Sequence, residues 1–230
     1  MLAAIFKASY NSPGSNDLVG GICGTAFFVD KKKVLTANHL LNSNNFGPND
    51  GFLYCKYWLL LDNGQTLIVG KDYLESYPDI DTTKISFPIA SNKDIINYKT
   101  TLAEGGGEFI LRGFLASVNG NPSSQVTMYW DERGELAIKS FDLSPATSIQ
   151  EGVIEEVKTI SLNSRDVNVN DKKYLTLSCG GSVGLSGAPL IKSSTGEIMG
   201  LMSYGLPEGV FYKEKLFAIS INEVEKLVNI

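Results

Sequence analysis

Histidine is nearly absent from this chain: its 230 residues include one, His39, so any imidazole chemistry has a single candidate. Cysteine is also scarce. Cys23, Cys55 and Cys179 cannot all pair with one another, and their spacings fit no zinc site. Free, mostly buried thiols in a reducing compartment are therefore expected. Positive charge is in deficit, with a net charge of −5, which removes the basic footprint of a nucleic-acid-binding surface. Long apolar runs are missing as well. The longest aromatic-aliphatic cluster is "YWLLL", far short of a membrane span. The first residues, "MLAAIFKASY", lack the basic head, long apolar centre and small-residue cleavage site of a secretory signal. The expectation is a cytoplasmic protein with no membrane and no nucleic-acid partner. Neither internal repeats nor low-complexity tracts break up the chain.

What is present is a β-type pattern. Apolar residues make up 43% of the chain, enough for a substantial core, and 23 glycines suggest many turns. Short apolar runs alternate with polar turns and few stretches carry a helical period. "GTAFFV" and "KVLTA" flank the polar "DKKK" as a hairpin. "YWLLLDNGQTLIVG" reads as a second hairpin, with Asn63-Gly64 supplying the left-handed turn. "TKISF", "EFILRGF", "VTMYWDERGELAI", "YLTLS", "APLI" and "GEIMGLMSYG" add strands. The one helix with clear signals closes the chain, where Ser220 and Glu223 form a capping-box pattern ahead of Val224 and Leu227. The polar, glycine-rich "SNKDIINYKTTLAEGGGE" marks a seam between halves. The stretch from about Gly113 to Lys173 is the least legible. An all-β barrel or sandwich with a terminal helix is predicted.

Two segments carry possible chemistry. His39 lies in "VLTANHLL", where a strand gives way to a turn, and reads equally well as a loop histidine. Ser186 lies in "GLSGAPLI", where the glycines at 184 and 187 either admit a ligand or merely close a turn. Serine-based acyl transfer needs an activated hydroxyl, a base and donors for the oxyanion.

Taken together, these motifs resemble the trypsin-like, chymotrypsin-fold serine proteases. "GTAFFVDKKKVLTANHLL" is similar to that family's strand-turn-strand into Thr-Ala-Ala-His. "GLSGAPLI" with the later "GEIMGLMSYG" resembles its Gly-Asp-Ser-Gly-Gly-Pro-Leu segment and Ser-Trp-Gly strand. The order His, Asp, Ser is that of this clan. "LLLDNGQTLIVGKD", "GGGEFILRGF" and "FAISINEVEKLV" are closest to the HtrA-like branch, as a core without a PDZ domain. The resemblance implies two six-stranded antiparallel β-barrels, residues 1–104 carrying the histidine and aspartate and 105–230 carrying the serine and the terminal helix. It implies a serine endopeptidase with no cofactor and no metal. Ser186 would be the nucleophile, His39 the general base, and the backbone N–H groups of Gly184 and Ser186 the oxyanion hole. Ser203 would bond the catalytic carboxylate, and Ser203-Tyr204-Gly205 would present a strand edge to a protein or peptide substrate. The third triad member is Asp79 or Asp81 in "YPDIDTTKISFP". Asp81 is preferred because it puts Thr83 at a small-residue position, although it places Lys84 awkwardly.

Departures from the pattern carry their own expectations. Asn38 precedes the histidine where a small residue is usual, and Ala188 replaces a glycine after the serine. Leu185 stands where digestive members hold the aspartate that pairs with a cleaved N-terminus, so that mode of activation is not expected. Cys23 matches a family cysteine whose partner position is Leu40 here. The specificity-pocket base maps to Gly180, which predicts little preference for lysine or arginine. A regulatory protein partner is expected, because an unregulated protease would endanger its own cell. The alternative reading is a protease-fold module that binds extended peptides, or a partner protein, without cleaving.

Overall fold

A computed structural model describes residues 1–41, 47–49, 51–88, 99–116, 125–163, 168–180, 182–205 and 216–228. The first half is one antiparallel sheet. Its strands are β1 (Leu2–Tyr10), β2 (Leu18–Phe28), β3 (Lys33–Ala37), β4 (Tyr54–Leu61), β5 (Thr66–Ile68), β6 (Leu74–Tyr77) and β7 (Thr82–Ser86). They lie in the order β5-β4-β1-β2-β3-β7-β6. Both predicted hairpins are present, one joining β2 to β3 and the other joining β4 to β5 through Gly64 at φ 84°. The opening residues, which carried no strand signature beyond their apolarity, are β1, paired on one side with β2 and on the other with β4.

The continuous apolar runs have a direct cause: the central strands of this sheet are buried on both faces. Along β1, Leu2, Ala4, Phe6 and Ala8 point to one core while Ala3 and Ile5 point to another. "YWLLL" divides likewise, Trp58 and Leu60 facing one way and Tyr57, Leu59 and Leu61 the other. Where the family pattern implies a closed ring of six strands, this half has seven, and no ladder joins β5 to β6 among the described residues. Its interior is completed by Leu41, Val69 and Phe87, which come from outside the strands.

The second half begins with β8 (Glu108–Phe114), then the hairpin β9 (Gln125–Trp130) and β10 (Leu136–Asp142). It continues with β11 (Thr147–Asn163), β12 (Asn168–Leu177), β13 (Pro189–Lys192), β14 (Ile198–Gly205) and β15 (Leu216–Ser220). Strands β11-β12-β15-β14-β13-β8 close into a barrel. Its closure depends on β11, whose first part, Thr147–Val153, pairs with β8 and whose remainder, from Ile154, pairs with β12. The β9–β10 hairpin leaves the barrel and covers the first sheet. Lys56 Nζ reaches Glu135 at 3.0 Å and the Leu136 carbonyl at 2.9 Å, while Trp130 meets Tyr10 edge-on at 5.1 Å. Among the described residues the α-helices are the single turn α1 (Asn38–Leu41) and the terminal α2 (Ile221–Val228).

Three cores result. One fills the first sheet, one fills the barrel, and the third joins the halves, packing Phe27, Leu35 and Ala37 with Tyr174, Leu201, Phe217 and Ile219. The polar seam predicted between the halves lies partly outside the described residues, at 91–98. Its end rejoins the barrel through Thr101 N–H to the Ile198 carbonyl, 3.0 Å.

Candidate functional site

The single histidine sits where β3 ends. After Ala37 the chain turns into α1, and Asn38 N–H donates to the Asp81 carbonyl at 2.9 Å. Asp81 follows the 3-10 turn Pro78–Ile80 and has a left-handed backbone at φ 43°. Aspartate tolerates that region better than most residues. The consequence is a carboxylate turned back over α1. Oδ1 accepts the His39 backbone N–H at 2.9 Å. Oδ2 lies 2.8 Å from His39 Nδ1 and accepts the Ser203 hydroxyl at 2.5 Å.

Asp81 is 1% exposed, so its negative charge must be met by donors within the fold. These three donors meet it. A carboxylate at Nδ1 also selects the tautomer, placing the proton on Nδ1 and leaving Nε2 as the accepting nitrogen. The imidazole side chain retains 18% exposure. Asp79, in contrast, is exposed on the 3-10 turn and is not the carboxylate beside the ring. Lys84 does not intrude: its amine turns to Glu75 and the Tyr77 hydroxyl.

The serine turn is fastened to both halves of the molecule. Ser186 C=O accepts Thr25 N–H at 2.9 Å, Gly184 C=O accepts the Thr25 hydroxyl at 2.9 Å, and Gly187 N–H donates to Met202 C=O at 2.7 Å. Gly187 is required by space and by conformation. At φ 83°, a Cβ there would lie 2.1 Å from Thr25 O and 2.9 Å from Ala37 N. A closed circuit follows: Gly187 abuts Ala37, which is two residues before His39; His39 holds Asp81; Asp81 holds Ser203; and Ser203 adjoins Met202, which returns to Gly187. Ser186 is half-buried. Among the described residues, neither the Gly184 nor the Ser186 N–H has an acceptor.

The edge at Ser203, Tyr204 and Gly205 is half-used. On one side Tyr204 and Gly205 pair with Phe217 and Leu216 of β15. On the other, the described ladder stops at Met202, which exchanges hydrogen bonds with Gly187 and Ala188. Gly180 is exposed, and among the described residues a Cβ added there would meet nothing within 4 Å. Among the described residues, no group of three or more histidine, cysteine, aspartate or glutamate side chains could hold a metal.

The departure at Asn38 has a partner in β7. Asn38 turns inward, and its Oδ1 accepts the Thr83 hydroxyl at 2.9 Å with both residues buried. This buried polar pair ties α1 to β7. Cys23, Cys55 and Cys179 are free. Leu40 packs over Gly24, beside Cys23, whose thiol burial pushes up to about 12. Sequence reasoning missed Thr25 and Thr36. The two threonines had a faint signal, as hydroxyls inside otherwise apolar strands. Both are fully buried; Thr36 bonds Thr25 O at 2.7 Å, and Thr25 also accepts Phe114 N–H at 2.9 Å.

No protein-family model matches this chain, and no curated protein matches it by sequence. Solved structures do. The HtrA-type protease AlgW with a decapeptide is similar at a TM-score of 0.64 and 13% identity, over 99% of this chain and 63% of that one. The active form of the Rv3671c protease from M. tuberculosis is similar at 0.58 and 14%, over 98% of this chain and 79% of that one. The MamO protease domain from Magnetospirillum magneticum gives 0.54 and 10%, over 97% and 94%. This chain spans 58 to 63% of the length of the AlgW structures. The fold is that of the chymotrypsin-type protease domains.

Proposed function

We propose that this chain is a serine endopeptidase acting through an acyl-enzyme. In this reading His39 Nε2 takes the Ser186 proton as Oγ attacks the substrate carbonyl, and later returns it to the leaving amine. Asp81 does not itself change protonation. It orients the ring and stabilises the imidazolium. The N–H groups of Gly184 and Ser186 receive the oxyanion, a role that requires fixed donors and no side chain. An extended peptide pairs with the open side of Ser203–Gly205, which brings its scissile bond alongside the serine turn. The AlgW structures hold a tripeptide and a decapeptide, which supports a peptide as the ligand class here.

One observation carries this reading. A carboxylate 1% exposed meets both the backbone N–H and the ring Nδ1 of the only histidine in the chain, and the serine turn is bonded to Thr25 of the half that carries this histidine. A fluorophosphonate probe tests it: Ser186 is expected to be labelled in the native chain, and Ser186→Ala is expected to abolish labelling. Peptide binding without labelling or hydrolysis would overturn it in favour of a non-cleaving peptide-binding module.

A further inference from the structure

The serine turn is held by its carbonyls. From Ser182 to Ser186 every one has a donor. In order these are Leu185 N–H at 3.3 Å, Ala116 N–H at 2.8 Å, the Thr25 hydroxyl at 2.9 Å, Ala188 N–H at 2.9 Å and Thr25 N–H at 2.9 Å. In a trans peptide the N–H points opposite to the C=O of the same unit. The bond from Ala116 to Val183 therefore turns the Gly184 N–H away from the end of β8. The bond from Ala188 to Leu185 likewise sets the direction of the Ser186 N–H.

Gly184 is the weak point of this arrangement. It is buried at φ 102°, and a Cβ there would lie 2.2 Å from Ala116 N and 2.5 Å from Phe114 O, so no larger residue fits. Yet glycine is open to φ of either sign, which leaves the Val183–Gly184 peptide free to rotate unless something restrains it. A buried hydroxyl stands at that place. Thr25 Oγ1, wholly buried, accepts Phe114 N–H and donates to Gly184 C=O, each at 2.9 Å. Its one proton goes to the carbonyl, because Phe114 N cannot accept. The hydroxyl thus bridges β8 to the turn, two residues from Ala116 on one side and one residue from Val183 on the other.

Resting on the endopeptidase reading above, we infer that Thr25 is a positioning residue, whose hydroxyl pins the end of β8 to the serine turn and so fixes the Gly184 N–H as an oxyanion donor. Without it, Phe114 N–H and Gly184 C=O are both left buried and unpaired. They regain partners only by a shift of the two segments, which releases the Ala116–Val183 bond. Thr25 touches no substrate. Its loss weakens an interaction made in the transition state, so the effect falls on kcat and leaves KM unchanged.

Thr25→Val keeps the side-chain shape and removes the hydroxyl, while Thr25→Ser keeps the hydroxyl and removes a methyl. In the amide spectrum of the nitrogen-15-labelled chain, the Gly184 cross-peak is expected to move or broaden in Thr25→Val and to stay near its wild-type position in Thr25→Ser. On an unstructured protein substrate, kcat of Thr25→Val is expected to fall about ten- to a hundredfold, short of the loss of an oxyanion donor outright. Thr25→Ser is expected to restore it. An unmoved Gly184 peak in Thr25→Val, a fall confined to KM, or equal losses in the two variants would overturn the inference. The peak is read without substrate, so it decides the matter even if the chain hydrolyses nothing, and labelling of Ser186 separately decides the endopeptidase reading. A thermal melt checks each fold; should Thr25→Val not fold, Thr25→Cys, a weak donor of similar bulk, takes its place with the same expectations.

Discussion

Replacing Asp81 with asparagine separates catalysis from stability in a way that this geometry makes calculable. The wild-type carboxylate accepts from the His39 N–H, from Nδ1–H and from the Ser203 hydroxyl. An amide has one oxygen and one NH2, so one of its two ends must face former donors. If the NH2 took the Oδ1 position, it would confront the His39 backbone N–H, which cannot turn into an acceptor. With the NH2 at the Oδ2 position, both conflicts are removable: the Ser203 hydroxyl rotates to accept, and His39 shifts its proton from Nδ1 to Nε2. The second orientation therefore wins, all three contacts survive, and the imidazole is locked in the tautomer that cannot take a proton from Ser186.

The loss of turnover for that lock is about ten-thousand-fold, equivalent to about 5 kcal/mol of barrier. The stability change is much smaller. Three charge-assisted bonds become neutral ones, a loss of about 1 kcal/mol each, and a desolvated charge is removed, which offsets much of it. A net change within about 2 kcal/mol corresponds to a melting shift within about 8 °C for a chain this long. Hydrolysis of an unstructured protein substrate, measured beside a thermal melt, checks both numbers. Turnover within tenfold of wild type would refute the reasoning, as would loss of activity in the control Asp79→Asn.

Gly187→Ala would drive a methyl into Thr25 O, Thr36 Oγ1 and Ala37 N at 2.1, 2.3 and 2.9 Å, while holding alanine at φ 83°. Overpacking together with the left-handed backbone is expected to cost about 2–4 kcal/mol and to depress fluorophosphonate labelling of Ser186; calorimetry and labelling rate measure the two effects. Cys23 is expected to resist alkylation at pH 9 in the folded chain, because burial raises its thiol from 9.0 to about 12. Between those values the folded thiol keeps a proton that the unfolded one has released, so stability falls as pH rises through that window. Denaturant titrations of wild type and Cys23→Ala across the interval measure that slope, which the variant should lack.

The placement of Thr25 bears on how the halves are held. A buried hydroxyl that both donates to Gly184 C=O and accepts Phe114 N–H uses a strand of the first sheet to hold two segments of the second half. Gly113, against the same hydroxyl, has no room for a Cβ, which would lie 2.7 Å from Thr25 Oγ1. These contacts are short-ranged and directional. They set the register between the halves more tightly than the shared apolar core alone could.

Much of this molecule was settled by its sequence alone. Strand-length apolar runs, the Asn63-Gly64 turn and the polar "DKKK" turn are local signals, and local backbone preferences are enough to place β2 to β5. The lone histidine, the serine between glycines and their order along the chain likewise needed no coordinates to be singled out. Folding decided the rest. The identity of the carboxylate turned on one left-handed residue, Asp81, and neighbouring aspartates in a sequence do not show which of them will carry that backbone. The purpose of Asn38 depended on Thr83, 45 residues away. Strand β11 was obscure, although the runs of β9, β10 and the end of β12 were legible, because β11 changes partners midway, from β8 to β12. Side-chain pairing across a seam between two sheets is a property of their mutual placement, and no window along one chain contains it.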